Sequence, residues 1–363
     1  MPPLPFPRID LTAICVIIEA MNQHEIISPI ELLDDRGHIV EEGWARRQLW
    51  RYDRSRIRAS WYRIKEWDYY CVLSQKREYG IAFTVSDLGY AGLASIVWLD
   101  FAKRTFVPFD SLKMFTRGKL GFAPTSSRGD LRYKDNKLEI SYILRKGERR
   151  IVARCPSLGD GRELQCDLVL AQDPEADSMN IATSWKENRR AFYYNQKVNC
   201  MPARGEVTIG GEHYLFEPDD SFGVLDWGRG YWLYRNRWYW GSASGLYEGI
   251  PLGWNIGYGF SDRTPASENM IFYGGRAHKL EEIAFHINPN DYMAPWKITS
   301  SDGRFEMDFE PIVNRHSDMR LVVISSLQNQ LFGYYSGQLI LDDGRTLKID
   351  KMLGLAEDVQ NKW

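Results

Sequence analysis

Asp226 is the carboxylate in this chain best placed to do chemistry. It follows Gly223-Val224-Leu225 and precedes Trp227-Gly228, so its neighbours bring little water with them. Burial of that kind disfavours the charged form and raises a carboxyl pKa, which suits a general acid delivering a proton to an alkene or epoxide. The stretch that begins there, DWGRGYWLYRNRWYWGSASG, sets Trp227, Trp232, Trp238 and Trp240 beside three arginines. Indole faces could steady a carbocation through their quadrupoles. Each such ring also buries on the order of 150–250 Å², enough for a few of them to line a pocket for an apolar guest. Tyr234 and Arg235 belong to the same stretch and are candidate ligand contacts. A purely structural reading stands beside this one. In it Asp226 pairs with Arg229 or Arg235 and pins a bend at a barrel rim, with Gly228 and Gly230 easing the backbone.

A second group of candidates lies on a glycine-rich strand. From Gly253 to Phe260 the sequence alternates, with Trp254, Ile256, Tyr258 and Phe260 on one face and Gly253, Asn255, Gly257 and Gly259 on the other. Missing side chains leave room for a ligand that Asn255 could hydrogen-bond, with Glu268, Asn269 and Tyr273 on the next strand as partners. The same glycines would also permit barrel curvature. Of the six histidines, His278 is the best second catalytic candidate, because it follows Tyr273 on a strand near the glycine-rich one. None of the six stands at metal-ligand spacing, and no serine elbow, Walker loop or EF-hand loop occurs. Gly257-Tyr258-Gly259 lacks the third glycine and the strand–turn–helix setting of a dinucleotide loop. No metal and no cofactor is expected.

These candidates must be carried by strands. Aromatic content is 13%, and runs rich in β-branched and aromatic residues recur throughout the chain. Trp67–Ser74, Gly80–Val85 and Ala91–Leu99 are the clearest, and shorter runs follow at Leu131–Tyr133, Leu138–Leu144, Arg150–Arg154 and Glu163–Leu170. That 8–12-residue rhythm marks antiparallel sheets. Two breaks interrupt it: a longer crossing segment at Phe106–Ser127, and the polar Asp173–Arg190, with a helix expected over Asn180–Arg190. Beyond the second break, Gly205–Ile209 and Glu212–Phe216 read as a hairpin turned by Gly210-Gly211. A chain of 363 residues is long for one core, so two domains are expected, at 21–190 and 191–363.

Bulk properties narrow the function. Net charge is −2, without the basic excess of a nucleic-acid binder. The five cysteines are odd in number, scattered and without C-x-x-C, and they read as reduced thiols of a cytoplasmic protein. Residues 1–20 hold an apolar run too short to span a bilayer and no basic signal region. They read as an extension, disordered or loosely helical, upstream of a start at Met21. Between Arg46 and Arg63 seven arginines interleave with tryptophans. This region reads either as a peripheral membrane-surface contact or, more simply, as a solvated face ion-paired with Glu41, Glu42, Asp53 and Glu66.

Several words of the sequence together resemble a known family. They include HEIISPIELLDDRGHIVEEGWAR from His24, RIKEWDYYCVL, FYYNQKVNCMPARGEV, the stretch from Asp226, GWNIGYGFSDRTPASEN, His278-Lys279-Leu280 and the ending GLAEDVQNKW. The chain resembles the bacterial domain of unknown function 2804 family over nearly its whole length. More distantly it is similar to lipocalin-like two-barrel proteins that include carotenoid hydratases, tocopherol cyclase and some fungal Diels–Alder cyclases. The resemblance implies an all-β fold of two antiparallel lipocalin-like β-barrels packed together, acting on large apolar molecules. It also implies that Asp226, in an aromatic segment at the start of the second barrel, takes the place of the hydratases' proton donor. Two functions follow as expectations. One is binding or carriage of a lipid- or isoprenoid-like molecule in a barrel cavity; the other is a hydratase, cyclase or isomerase using Asp226.

Overall fold

The computed structural model describes residues 23–320 and 323–363. The expectations for residues 1–20 and for a start at Met21 lie outside the described residues. Two curled antiparallel sheets account for the architecture. The first has thirteen strands and runs through Thr105–Met114, Ala91–Asp100, Tyr79–Asp87, Ile64–Ser74, Ser221–Tyr231 and Asn188–Ile209, then on to Leu131–Lys134. The second has nine strands, with Arg235–Tyr247 hydrogen-bonded between Ile250–Tyr258 and Thr346–Lys362. Each wraps round its own aromatic core. Trp50, Tyr70, Phe83, Trp98, Tyr194 and Trp227 fill the first, and Trp254, Trp296, Phe305, Phe309 and Tyr335 fill the second. The all-β, two-barrel expectation therefore holds.

The division between the sheets differs from the expected one at 190/191. The strands Asn188–Ile209, Glu212–Phe216 and Ser221–Tyr231 all pair into the first sheet, and the second begins at Arg235. Hydrogen bonding decides this: Ser221–Tyr231 is clamped from Ser221↔Ser74 to Tyr231↔Ile64 on one side and against Asn188–Ile209 on the other. Two local expectations also change. Asn180–Arg190 is not helical; Met179–Trp185 and the start of Asn188–Ile209 pair as a hairpin buried on both faces, with Ile181 and Tyr193 on one side and Ala182, Phe192 and Tyr194 on the other. The crossing segment is a strand for its first half, Thr105–Met114. The Gly210-Gly211 hairpin stands as read, with both glycines at positive φ (58° and 89°), the geometry of a tight primed turn.

Most arginines of the 46–63 region are ion-paired. Arg46 meets Glu25 and Asp177, Arg47 meets Glu175, Arg51 meets Glu31, Arg54 meets Glu66, and Arg56 meets Glu31 and Asp35. Only Glu66 of the expected partners takes part; the others come from segments that the fold brings alongside. Among the described residues no helix is long and apolar enough to cross a membrane.

Inside the first barrel a fully buried Arg229 replaces the apolar residue expected there. Its guanidinium donates to Asp68 (2.9 Å), the Trp67 carbonyl (2.8 Å) and the Ala123 carbonyl (3.1 Å), and it lies 4.0 Å from the Trp227 ring. Glu66 beside it accepts from Tyr52 (2.9 Å) and Arg54 (2.9 Å). Removing one member of such a network strands the rest without water. Arg229→Met should therefore lower stability by roughly 3–5 kcal/mol in urea unfolding. A loss under about 1 kcal/mol would show that the network carries no structural weight.

Candidate functional site

Period-two alternation decides which side chains meet. On Ser221–Tyr231, Leu225, Trp227 and Arg229 point into the first barrel, whereas Val224, Asp226, Gly228 and Gly230 face the second sheet. Register places Asp226 between Tyr69 and Lys197, and Gly228 between Trp67 and Asn195. A β-carbon at Gly228 would lie 1.9 Å from the Trp67 ring, so the glycine is what lets that indole lie across the strand. On the second sheet a facing row of cross-strand partners runs Arg315, Gln330, Glu357 and Trp240, with Trp238 and Val359 in the next row.

Between these two faces lies a cavity of about 220 Å³. Its walls are Trp67, Trp232, Trp238, Trp240, Phe260 and Trp363. The rings brace one another, mostly edge to face: Trp67–Trp232 at 5.2 Å, Trp232–Trp238 at 5.8 Å and Trp232–Trp363 at 5.8 Å between centroids. The hollow thus lies between the sheets, not within either barrel, where large aromatics occupy the interior.

The polar end of the cavity is a cluster of charges. Asp226 accepts from Lys197 Nζ (2.9 Å) and from Asn195 Nδ2 (2.7 Å), and Lys197 sits 4.0 Å over the Trp240 ring. Glu357 accepts from the Trp238 indole (2.8 Å) and from the Gln330 amide (3.0 Å), whose own oxygen accepts from Arg315 (3.2 Å). Burial pushes the Glu357 carboxyl up, while the Trp238 hydrogen bond and the charge of Lys197 pull the other way. Burial likewise raises Glu268, which stands within the field of the same lysine. Buried polar atoms of cavity-lining residues with no partner among the described residues include Ser95 Oγ, Trp232 Nε1, Trp363 Nε1 and Asn361 Oδ1. At the other end Lys65 Nζ donates to the carbonyls of Tyr62 and Leu88, each at 2.9 Å.

Of the residues singled out in the sequence, Asp226, Trp232, Trp238 and Trp240 line the cavity. The others do not. Trp227 belongs to the first barrel's core, edge-on to Tyr194 and Tyr52, because it has the opposite parity to Asp226. Asp226 pairs with neither Arg229 nor Arg235; the former is committed inside the barrel and the latter is exposed. Tyr234 is exposed as well, donating to the Val323 carbonyl. Asn255 stands one layer behind the cavity, accepting from the Trp240 indole (2.7 Å) and donating to the Glu268 carbonyl (2.8 Å). Asn269 holds backbone, through Gly257 N–H and the Glu281 carbonyl.

The space expected beside Asn255 is taken. A β-carbon on Gly253 would meet Cys200 Sγ at 2.7 Å, and one on Gly257 would meet Glu268 Oε1 at 3.0 Å. His278 and Tyr273 lie on the two strands at the far edge of the second sheet. His278 Nδ1 accepts from the Asp342 backbone (3.2 Å), and the Tyr273 ring lies under Arg345. Sequence reading passed over Lys197, Glu357, Gln330, Arg315 and Lys65. Charge inside an otherwise apolar strand run, as in FYYNQKV and GLAEDV, was the available signal.

An all-β pair of barrels enclosing an aromatic, charged hollow at their junction defines the class of protein. The chain belongs to the family described as Domain of unknown function (DUF2804), whose model matches residues 23–363. At the level of sequence no curated protein matches. Among solved structures it is similar to CghA in complex with Sch210972, at 8% identity and a TM-score of 0.51, covering 94% of this chain and 97% of that one. It is also similar to an AttH-type protein of Nitrosomonas europaea (12% identity, TM-score 0.47, 82% and 92% covered). Kievitone hydratase of Nectria haematococca follows at 10% identity and a TM-score of 0.43, with 82% and 88% covered. At such identities the CghA likeness establishes the two-barrel fold.

Lys65 gives a measurable handle on the cavity. Burial lowers it from 10.5 to about 7, with Arg63 adding to the effect. A lysine lowered by folding leaves the unfolded chain holding more protons between about pH 7 and 10.5, so its contribution to stability rises with pH across that window. Lys279, also lowered to about 7 by burial, adds a slope of the same sign. Urea midpoints should rise from about pH 7 to about pH 9, and the rise should shrink in Lys65→Met. An equal rise in both proteins would show that Lys65 keeps an ordinary pKa.

Proposed function

We propose that this protein binds a hydrophobic small molecule, lipid- or isoprenoid-like, in the cavity between its two sheets. The observation that carries this is an indole-walled hollow whose lining residues include buried polar atoms without partners among the described residues. A buried polar group left unpaired costs about 1–3 kcal/mol, and a guest bearing a hydroxyl or carbonyl would recover part of that. The guest is therefore an apolar body with a few polar groups. At about 220 Å³ the cavity lies below the 300–1,000 Å³ usual for drug-sized ligands, so the ligand is compact or enters only in part. That CghA, a protein of the same fold, has been crystallised with Sch210972 supports the reading.

Glu357 favours a second reading, proton transfer on such a molecule. A general acid must hold its proton near working pH and reach the substrate. Glu357 lines the cavity with a carboxyl raised by burial. Asp226, the acid expected from sequence, is committed to Lys197 and Asn195. In this reading Asp226 and Lys197 shape the field and Glu357 delivers the proton.

Native mass spectrometry of freshly purified protein should show a bound apolar molecule, and Ser95→Phe, which fills the cavity, should lose it with an unchanged unfolding midpoint. Protein without any bound mass, or equal retention in the variant, would end the binding reading. Once the co-purified compound is identified, Glu357→Gln separates the two functions. Capture retained with conversion lost supports catalysis; capture retained where the wild type converts nothing leaves carriage alone.

A further inference from the structure

The protein carries a second feature that the cavity does not use, a basic and apolar lip beside its outer end. Leu112–Lys119 reads LKMFTRGK, with three cations and no acid. Leu112, Met114 and Phe115 are 61%, 59% and 61% exposed, and Trp61 and Tyr62 beside them are 38% and 48% exposed. Isolated exposed apolar residues are ordinary, but five in one place with interleaved cations are not. None of Lys113, Arg117 and Lys119 meets a carboxylate among the described residues, in contrast to the paired arginines from Arg46 to Arg56.

The backbone holds this lip in place. Phe115 and Arg117 have φ of 58° and 53°, the left-handed region that side chains with a β-carbon disfavour. The conformation is pinned by Phe115 N–H donating to the Tyr90 carbonyl (2.7 Å) and Arg117 N–H to the Gly89 carbonyl (2.8 Å). Buried Thr116 between them donates to Asp87 (2.8 Å), and Arg117 lies 4.9 Å over the Trp61 ring. A turn kept in an unfavourable conformation to present phenylalanine and arginine to water points to a surface that binds something.

The lip adjoins the cavity. Lys65, in its wall, donates to the carbonyls of Tyr62 and Leu88, and Leu88 is itself a lining residue. Across the opening Trp363, also lining, donates to the carbonyl of exposed Tyr234.

We infer that Trp61–Tyr62 and Leu112–Lys119 dock the protein on an anionic lipid surface. Tryptophan and tyrosine suit the headgroup region, where one side of the ring is wet and the other dry. Exposed lysine and arginine add attraction to anionic headgroups, and several together compensate for shallow apolar insertion. Docked in this way, the cavity opens toward the bilayer. The docking rests on the lip residues themselves; only its use as a port for the ligand rests on the binding function proposed above.

Co-sedimentation with vesicles tests it on the full chain. Vesicles of phosphatidylcholine containing phosphatidylglycerol should retain the protein, and phosphatidylcholine alone should retain far less. Raised salt should release it. Met114→Ala/Phe115→Ala and, separately, Lys113→Glu/Lys119→Glu should each reduce retention roughly ten-fold or more, with unfolding midpoints unchanged. Equal retention by both lipid mixtures, or by wild type and both variants, would overturn the proposal. So would a lipid-free dimer that the same substitutions dissociate, because Thr105–Met114 is an edge strand and the lip would then be a protein contact. Loss of vesicle binding with the cavity ligand still bound would separate docking from capture.

Discussion

Strand parity along Ser221–Tyr231 is the constraint from which the rest of the site follows. The strand is central in the first sheet, hydrogen-bonded on both sides, so its register cannot slip without moving every neighbour. One face must then fill a barrel, and does so with Leu225, Trp227 and Arg229. The other face is free to build the junction: it carries Asp226, then Gly228 and Gly230, whose missing side chains make room for the Trp67 and Trp232 rings. Adjacent residues therefore end in unrelated environments. Trp227 is core, and Asp226 is cavity.

Electrostatics at the junction follow from the same register. Lys197 is the direct cross-strand partner of Asp226, close enough to neutralise it where little water reaches. A buried ion pair rarely gains enough Coulomb energy to repay its own desolvation, so it is weak evidence of a purely stabilising role. Glu357, on the opposite sheet, is held by an indole and an amide and has no ion-pair partner among the described residues. Lys197 acts on all three carboxylates, those of Asp226, Glu268 and Glu357, and Lys279 acts on Glu268 as well. Burial outweighs these cations and raises Glu268 and Glu357 toward their neutral forms. This sets a carboxyl raised toward its neutral form beside the Asp226–Lys197 ion pair.

Much of the fold was legible because alternation and turn chemistry are local. Trp67–Ser74, Gly80–Val85, Ala91–Leu99 and the Gly210-Gly211 hairpin all lie where their own residues place them. The strand expected at Gly205–Ile209 is only the end of Asn188–Ile209, since neighbouring strands supply the pairing that propensity does not. The sheet boundary was misplaced for a related reason. Asn188–Ile209 follows a polar break, but its partners Leu164–Ala171, Met179–Trp185, Glu212–Phe216 and Ser221–Tyr231 lie on both sides of the expected boundary, and sequence spacing does not record partners. At the site the aromatic stretch was found, yet Trp227 was grouped with its neighbours because clustering in sequence was taken for clustering in space. Lys197, Glu357 and Arg315 are not legible because no strand's own sequence records its partners: three registers of the second sheet bring Arg315 and Glu357 into one row, and Lys197 lines the same cavity from the first sheet.

A preformed wall has consequences for what it can hold. The tryptophan rings of the cavity are fixed by one another at edge-to-face distances, so little ordering remains to be done when a guest arrives. Their polar tips are not equivalent. Trp238 spends its indole N–H on Glu357 and Trp240 spends its own on Asn255, which ties these two rings to the second sheet. Trp232 and Trp363 find no acceptor for theirs among the described residues. A rigid apolar wall with two unspent donors discriminates by acceptor placement more than by bulk. A guest of the right size lacking an acceptor leaves both N–H groups unpaired, and one bearing a carbonyl or hydroxyl oxygen there does not. On the binding function proposed above, specificity would rest on the two indoles without a partner among the described residues.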